Sequence, residues 1–129
     1  MESDRYQEGL KRLLEMEGEA GSDVIEKMKR ISPDFNRYLL EFLFGEIYAR
    51  PGLDIKTKEA ITIASMATMG ASLQLKVHVN TALNLGFTEQ EIIEIMLQLA
   101  PIAGFVRAMD GLLAAQQAFD ERASKSVNG

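Results

Sequence analysis

Cysteine is absent from the 129 residues. Without a thiol the chain has no disulfide, no thiolate nucleophile, no CxxC redox pair and no cysteine-ligated zinc. Histidine occurs once, at His78, so a multi-histidine metal centre within one chain is excluded, and a metal would have to be held by carboxylates or shared between chains. No metal or other cofactor is expected. Tryptophan is missing and aromatics make up 7%, which leaves aliphatics, alanine and seven methionines to carry the packing. Positive charge is in deficit, with 14 basic against 19 acidic residues, a net −5. Such a chain lacks the electrostatic footprint of a protein that grips phosphate backbones, so no nucleic-acid partner is expected. Long hydrophobic runs are missing too. The longest uncharged stretch, Ile61 to Leu75, is interrupted by Thr, Ser, Gly and Gln and is too short to span a bilayer. The opening MESDRYQEGL has no apolar core of a secretory signal. A soluble, cytoplasmic protein with no membrane partner is the expectation. GxSxG, P-loop, GxGxxG and HExxH motifs are all absent, which removes the usual hydrolase, nucleotide and zinc-protease readings.

What is present is helical periodicity. The 47% of hydrophobic residues suffices for one domain over 1–129. Residues around 3–18 place Tyr6, Leu10, Leu13 and Leu14 on one side of a charged helix, which Gly18 and Gly21 interrupt. A short helix from Ser22 stops near Ile31, and Ser32-Pro33 starts the next as N-cap and first helical residue. That helix carries Phe35, Leu39, Phe42, Leu43 and Ile47 and ends at the Arg50-Pro51-Gly52 turn. Asp54 is read as the cap of a helix that runs to about Met69 and is broken by Gly70. Ser72 is read as the cap of the next, which ends at Gly86. Thr88 and Glu91 have capping-box spacing, and Pro101 is expected to stop their helix near Leu99 or Ala100. A last helix spans about Phe105 to Ala123, with 124–129 a frayed tail. Six or seven short helices and no convincing strand predict an all-α domain. ITIASMATMGASLQL and IMLQLAPIAGF are apolar on nearly all sides, so such helices must be central or must cover their second face with another subunit. A homo-oligomer is expected on that ground.

His78 is the one side chain whose ordinary pKa lies near neutrality. Helical spacing puts it on a face with Gln74, Thr81 and Ala82, beside an apolar face of Leu75, Val79 and Leu83. It serves either as a structural imidazole bonded to a nearby oxygen or as a proton carrier. Glu59, at the start of the next helix upstream, is either a favourable charge at a helix N-terminus or an acid–base carboxylate at the margin of a buried helix. Arg50, Lys58, Lys76 and Arg107 are the cations available to an anionic substrate. Arg107 is the most informative, because it opens a helix, where the dipole gives a cation no support. It calls for a partner, either Asp110 or a carboxylate ligand.

The words KEAITIASMATMGA, HVNTALNLGFTEQEIIEIMLQLAPIAGF and RAMDGLLAA, from Lys58 to about Gln116, resemble the carboxymuconolactone decarboxylase family, which also holds the AhpD-type alkylhydroperoxidases. The Pro33-to-Leu53 region resembles the family's leading helix and turn, which places the family core at about 33–123. The resemblance implies an all-α AhpD-like fold and assembly as dimers, trimers or hexamers. The peroxidase branch carries Glu-x11-Cys-x2-Cys-x3-His. On this chain Glu59 and His78 take the outer positions, but Ala71 and Gln74 stand where the cysteines belong. A thiol peroxidase needs one thiolate to attack the peroxide and a second to resolve the product, so that mechanism is disfavoured here. The decarboxylase branch needs neither. The resemblance implies a lyase acting on a small carboxylated lactone or related organic acid, with His78 and Glu59 as acid–base residues and Arg107 and Gln74 as substrate contacts. The competing reading is a family member that binds a small acidic ligand or scaffolds without turnover.

Overall fold

Helices form for local reasons that are visible along the whole chain. The computed structural model describes residues 2–128, and those residues contain helices and turns but no strand. Their contacts group into two compact units, one up to Asp54 and one from Ile55 onward, within the stretch read above as one domain.

The first unit holds α1 (Asp4–Ile31) and α2 (Pro33–Tyr38), the latter continuing as a π-helical segment, Leu39–Ile47. The Ser3 hydroxyl accepts from the Tyr6 amide and starts α1. Gly18 breaks it with φ 63° and ψ −141°, a conformation open to glycine alone. Gly21, expected to interrupt as well, is instead a buried helical residue whose missing side chain makes room for Leu13. Ser32 caps α2 through the Phe35 amide, with Pro33 in the first turn as expected. The π-helical segment has no sequence signature. Its wider turn is seen in the Tyr48 amide reaching back five residues to the Leu43 carbonyl at 2.8 Å. Two glycines let α1 press against it: a Cβ at Gly9 would land on the Leu40 carbonyl, and one at Gly45 would lie 2.7 Å from the Arg5 carbonyl. Arg12 donates to the Phe44 carbonyl at 2.6 Å, across the same contact.

The second unit is a four-helix arrangement: α3 (Ile55–Met69), α4 (Ser72–Asn84), α5 (Glu89–Ala103) and α6 (Phe105–Asn128). Gly70, at φ 75°, turns the chain between α3 and α4, and Gly86, at φ 100°, follows α4. Ser72, expected to cap α4, does not do so. It is the first helical residue, and Ala71 occupies the cap position with no side-chain bond. The capping box forms as expected, with the Glu91 amide donating to the Thr88 hydroxyl at 3.0 Å and the Thr88 amide donating to Glu91 at 2.9 Å. Pro101 does not end α5, which runs through it to Ala103. A proline near the end of a helix removes one amide, and the carbonyl left without it belongs to half-exposed Leu97. α6 likewise continues past the expected end at Ala123 to Asn128, so 124–128 are helical, and Gly129 lies outside the described residues. Ile63, Leu75, Val79, Ile92, Met96 and Phe119 form the core. α6 meets them with Ala108, Gly111, Ala114, Ala115 and Ala118, small residues that let helix axes come close.

No described helix is long and apolar enough to cross a membrane.

Two substitutions test this account. Gly9→Ala should lower stability by at least about 1–3 kcal/mol in thermal or denaturant unfolding, because the added methyl meets backbone that cannot rotate away. Glu91 tests the capping box. The Thr88 amide bond, helped by Lys56, holds its carboxyl below the ordinary value of 4.5. A depressed pKa adds stability above the unfolded value and loses it as pH falls through the folded one. The gap in melting temperature between wild type and Glu91→Gln should therefore be widest near neutrality and shrink as pH falls below 4.5.

Candidate active site

The geometry begins with the α3–α4 hairpin. Glu59 is the fifth residue of α3, one turn further in than the helix-terminal position expected for it, and the first turn carries no acidic residue. Its own amide is already inside the helix, so service to the helix end does not account for it. Its side chain is wholly buried. A carboxylate in that setting costs several kcal/mol unless it is hydrogen-bonded.

The partner comes from α4. His78 Nδ1 lies 2.7 Å from Glu59 Oε1, a buried contact across 19 residues of sequence. Reversal of the chain at Gly70 and the helical rise from Ser72 bring the two together. Leu75, Val79 and Ala82 are buried on either side of the imidazole. With Glu59 as a carboxylate the Nδ1–H donates to Oε1, and in either tautomer Nε2 is the ring nitrogen left for another molecule. The exposures divide the work: 10% of the His78 side chain remains accessible and none of Glu59. Of the two, only the imidazole can meet a small molecule. Thr81, one turn beyond His78, is buried with its hydroxyl donating to the Val77 carbonyl at 3.3 Å. Thr62, one turn beyond Glu59, donates to the Lys58 carbonyl at 3.0 Å.

Of the four site residues read from sequence, the structure brings together Glu59 and His78. Gln74 lies one turn before His78 but is exposed. Arg107 is elsewhere in the unit, its guanidinium packed over Gly70 so closely that a Cβ there would collide with it. Gly70 follows the C-terminal end of α3, eleven positions on from Glu59 and about 16 Å along the axis. The guanidinium therefore lies at the C-terminal end of α3, where a cation is favoured. Of the other cations, Lys76 pairs with Glu121 at 2.7 Å. Among the described residues no three His, Asp or Glu side chains gather into a metal-binding group.

A larger opening lies apart from the pair. It is an apolar groove of about 870 Å³ between α3 and α5, lined by Ile61, Met69, Ile95, Leu99 and Ile102 among others. Neither Glu59 nor His78 lines it, so its size is no guide to the chemistry.

Comparison with known proteins accords with these features. A sequence model of the Carboxymuconolactone decarboxylase family matches residues 33–117. A 4-carboxymuconolactone decarboxylase of Acinetobacter baylyi is 29% identical over 118 residues, covering 91% of this chain and 88% of its own. A nitrosuccinic acid decarboxylase of Metarhizium robertsii is 30% identical over 109 residues, covering 81% and 76%. An uncharacterized 15.0 kDa protein from the nqo9-nqo10 intergenic region of Paracoccus denitrificans is 33% identical over 96 residues, covering 73% and 72%.

With a single histidine in the chain, the imidazole nitrogens can be read by nitrogen NMR without assignment work. The spectrum should show Nδ1 protonated and hydrogen-bonded, and Glu59→Gln should change that signature while far-ultraviolet circular dichroism stays helical. Glu59→Ala should cost about 1–3 kcal/mol, the penalty for leaving the buried imidazole donor unpaired. An unchanged imidazole spectrum in Glu59→Gln would show that the two side chains are not coupled in solution.

Proposed function

This chain belongs to the carboxymuconolactone decarboxylase family, and from that membership we propose that it is a lyase that removes CO2 from a small carboxylated lactone or a related organic acid. The observation that carries the reading is the buried 2.7 Å contact of His78 with Glu59, with one imidazole edge accessible.

The chemistry follows from what such a reaction needs. When the bond to the carboxylate breaks, its electron pair passes into the remaining molecule and CO2 departs. One proton must then be delivered to carbon, so an acid with a supply of protons has to stand beside it. In this reading His78 delivers that proton from Nε2. Glu59 holds the ring in orientation and stabilises the imidazolium before delivery, as an acceptor at Nδ1 does in other carboxylate–histidine pairs. The proton is recovered from water. The electron pair is accepted by the substrate's own carbonyl or equivalent group, so the residues at hand have only the proton to manage. A thiol mechanism has no residue to run on, since Ala71 and Gln74 stand at the two positions that would need cysteine.

We also place a second copy of the chain on the apolar α3–α5 groove. Ile61, Met69 and Ile102 are more than half exposed there. They belong to the stretches whose two apolar faces called for oligomer contacts, and a trimer or hexamer is the assembly we propose. In such an assembly Arg107 and Gln74, remote or exposed in one chain, are available to a neighbouring subunit's substrate.

Ultraviolet-monitored turnover of 4-carboxymuconolactone, with CO2 release from nitrosuccinate measured in parallel, tests the lyase reading. Wild type should turn over at least one of them, and His78→Ala should be slower by about 100-fold or more with its mass in solution unchanged. No turnover of either acid by folded wild type, or full turnover by His78→Ala, would sink the assignment.

A further inference from the structure

A group that hands a proton to carbon also takes it back, because both directions cross one transition state. The pair in this chain has a single place where that exchange can occur. Glu59 has no exposed surface, and Nδ1 of His78 is occupied by its carboxylate, which leaves the Nε2 edge of the ring. The substrates named for two relatives then become informative through their chemistry. Nitrosuccinate without one CO2 is 3-nitropropionate, and the carbanion between the two is stabilised as a nitronate. 4-Carboxymuconolactone without CO2 is a lactone acid, and the carbanion there is an extended enolate of the lactone carbonyl. Each product keeps a carboxylate, carries its own electron acceptor and is a carbon acid.

We propose, building on the decarboxylase reading, a second activity of the same site that needs no CO2 loss: reversible proton exchange at the acidic carbon of small carboxylates whose carbanion is delocalised into a lactone carbonyl or a nitro group. The lone pair on His78 Nε2 takes the proton, the electrons of the broken C–H bond enter the carbonyl or nitro group, and the imidazolium is held against Glu59. The Nε2 proton exchanges with solvent. The carbanion then recovers a solvent proton from Nε2, and the C–H bond re-forms. Nothing is oxidised or reduced, and no co-reactant besides water takes part. His78 is the proton carrier in this scheme and Glu59 is a positioning residue.

The test uses the full chain in deuterium oxide with two probes, 3-nitropropionate and the lactone acid formed from 4-carboxymuconolactone, followed by proton NMR. For 3-nitropropionate the methylene next to the nitro group should lose its signal about 100-fold faster than in buffer. The methylene next to the carboxylate should persist as an internal control. His78→Ala and His78→Gln should both return the rate to that of buffer, and the glutamine variant keeps a polar side chain in place should alanine loosen the fold. Glu59→Gln should fall between, while Glu59→Asp recovers part of the rate, a rescue that a purely structural role would not produce. Exchange at the buffer rate with both probes, or exchange indifferent to His78, overturns the proposal. CO2 release measured on the same preparation separates it from the decarboxylase reading. Turnover without exchange removes this proposal alone, and exchange without turnover removes the other.

Discussion

A carboxylate with no exposed surface must find a hydrogen-bond donor inside the protein, and in this chain that requirement falls on Glu59. His78 lies against it, and the distance of 2.7 Å leaves little tolerance in how α3 and α4 are placed. Much of the second unit serves that placement. Gly70 adopts a left-handed conformation so that the hairpin can turn tightly, and Arg107 lies over it at the C-terminal end of α3. Ile63 and Ala67 continue the buried face of α3, Leu75 and Val79 that of α4, and the alanines of α6 close against both. The apolar core and the polar pair are therefore parts of one arrangement: the core excludes water from the carboxylate, and the exclusion is what makes the imidazole bond worth keeping.

The two residues are chemically unequal because of burial, not identity. Histidine and glutamate are each able to move protons, and sequence alone leaves open which of them faces a substrate. Glu59 is enclosed and His78 keeps some exposed surface, so only the imidazole is open to an approaching molecule. The same comparison shows that the absence of thiols leaves the pair intact. Ala71 lies at the turn before α4, and Gln74 is exposed one turn ahead of His78, so neither substitution touches the pair.

The parts of the fold that local rules govern were legible from residues. Gly18 and Gly70 take positive φ where the pattern breaks, Pro33 opens a helix, and Thr88 with Glu91 closes a capping box. The misreadings came where tertiary contacts outweigh local preference. Pro101 stays helical because the carbonyl it orphans is on an exposed residue, and Gly21 is helical because Leu13 occupies the space its side chain would take. The π-helical turn at Leu39–Ile47 lies in close backbone contact with α1, which no periodicity records. At the site, the sequence marked Glu59 and His78 separately, but their bond spans 19 residues and depends on the hairpin between them. Arg107 was singled out for a sound reason, the need of a cation at a helix start for a partner. Its guanidinium lies at the end of α3, a placement that becomes visible only once α3 and α6 are packed.

On the decarboxylase reading, this division of labour bears on why relatives carry names with different substrates. A lactone carbonyl and a nitro group have little in common except the capacity to accept an electron pair. If the substrate brings that acceptor itself, the protein is left with two tasks: to supply a proton at carbon and to select the molecule. The Glu59–His78 pair meets the first task and is indifferent to which group takes the electrons, since it touches only the proton. Selection must then lie with whatever lines the approach to the Nε2 edge of His78, including residues from neighbouring copies where the chain assembles. Substrate identity can change at that approach while the buried pair stays fixed. A match to the family therefore carries the proton chemistry further than it carries the substrate, and the two have to be established by separate measurements.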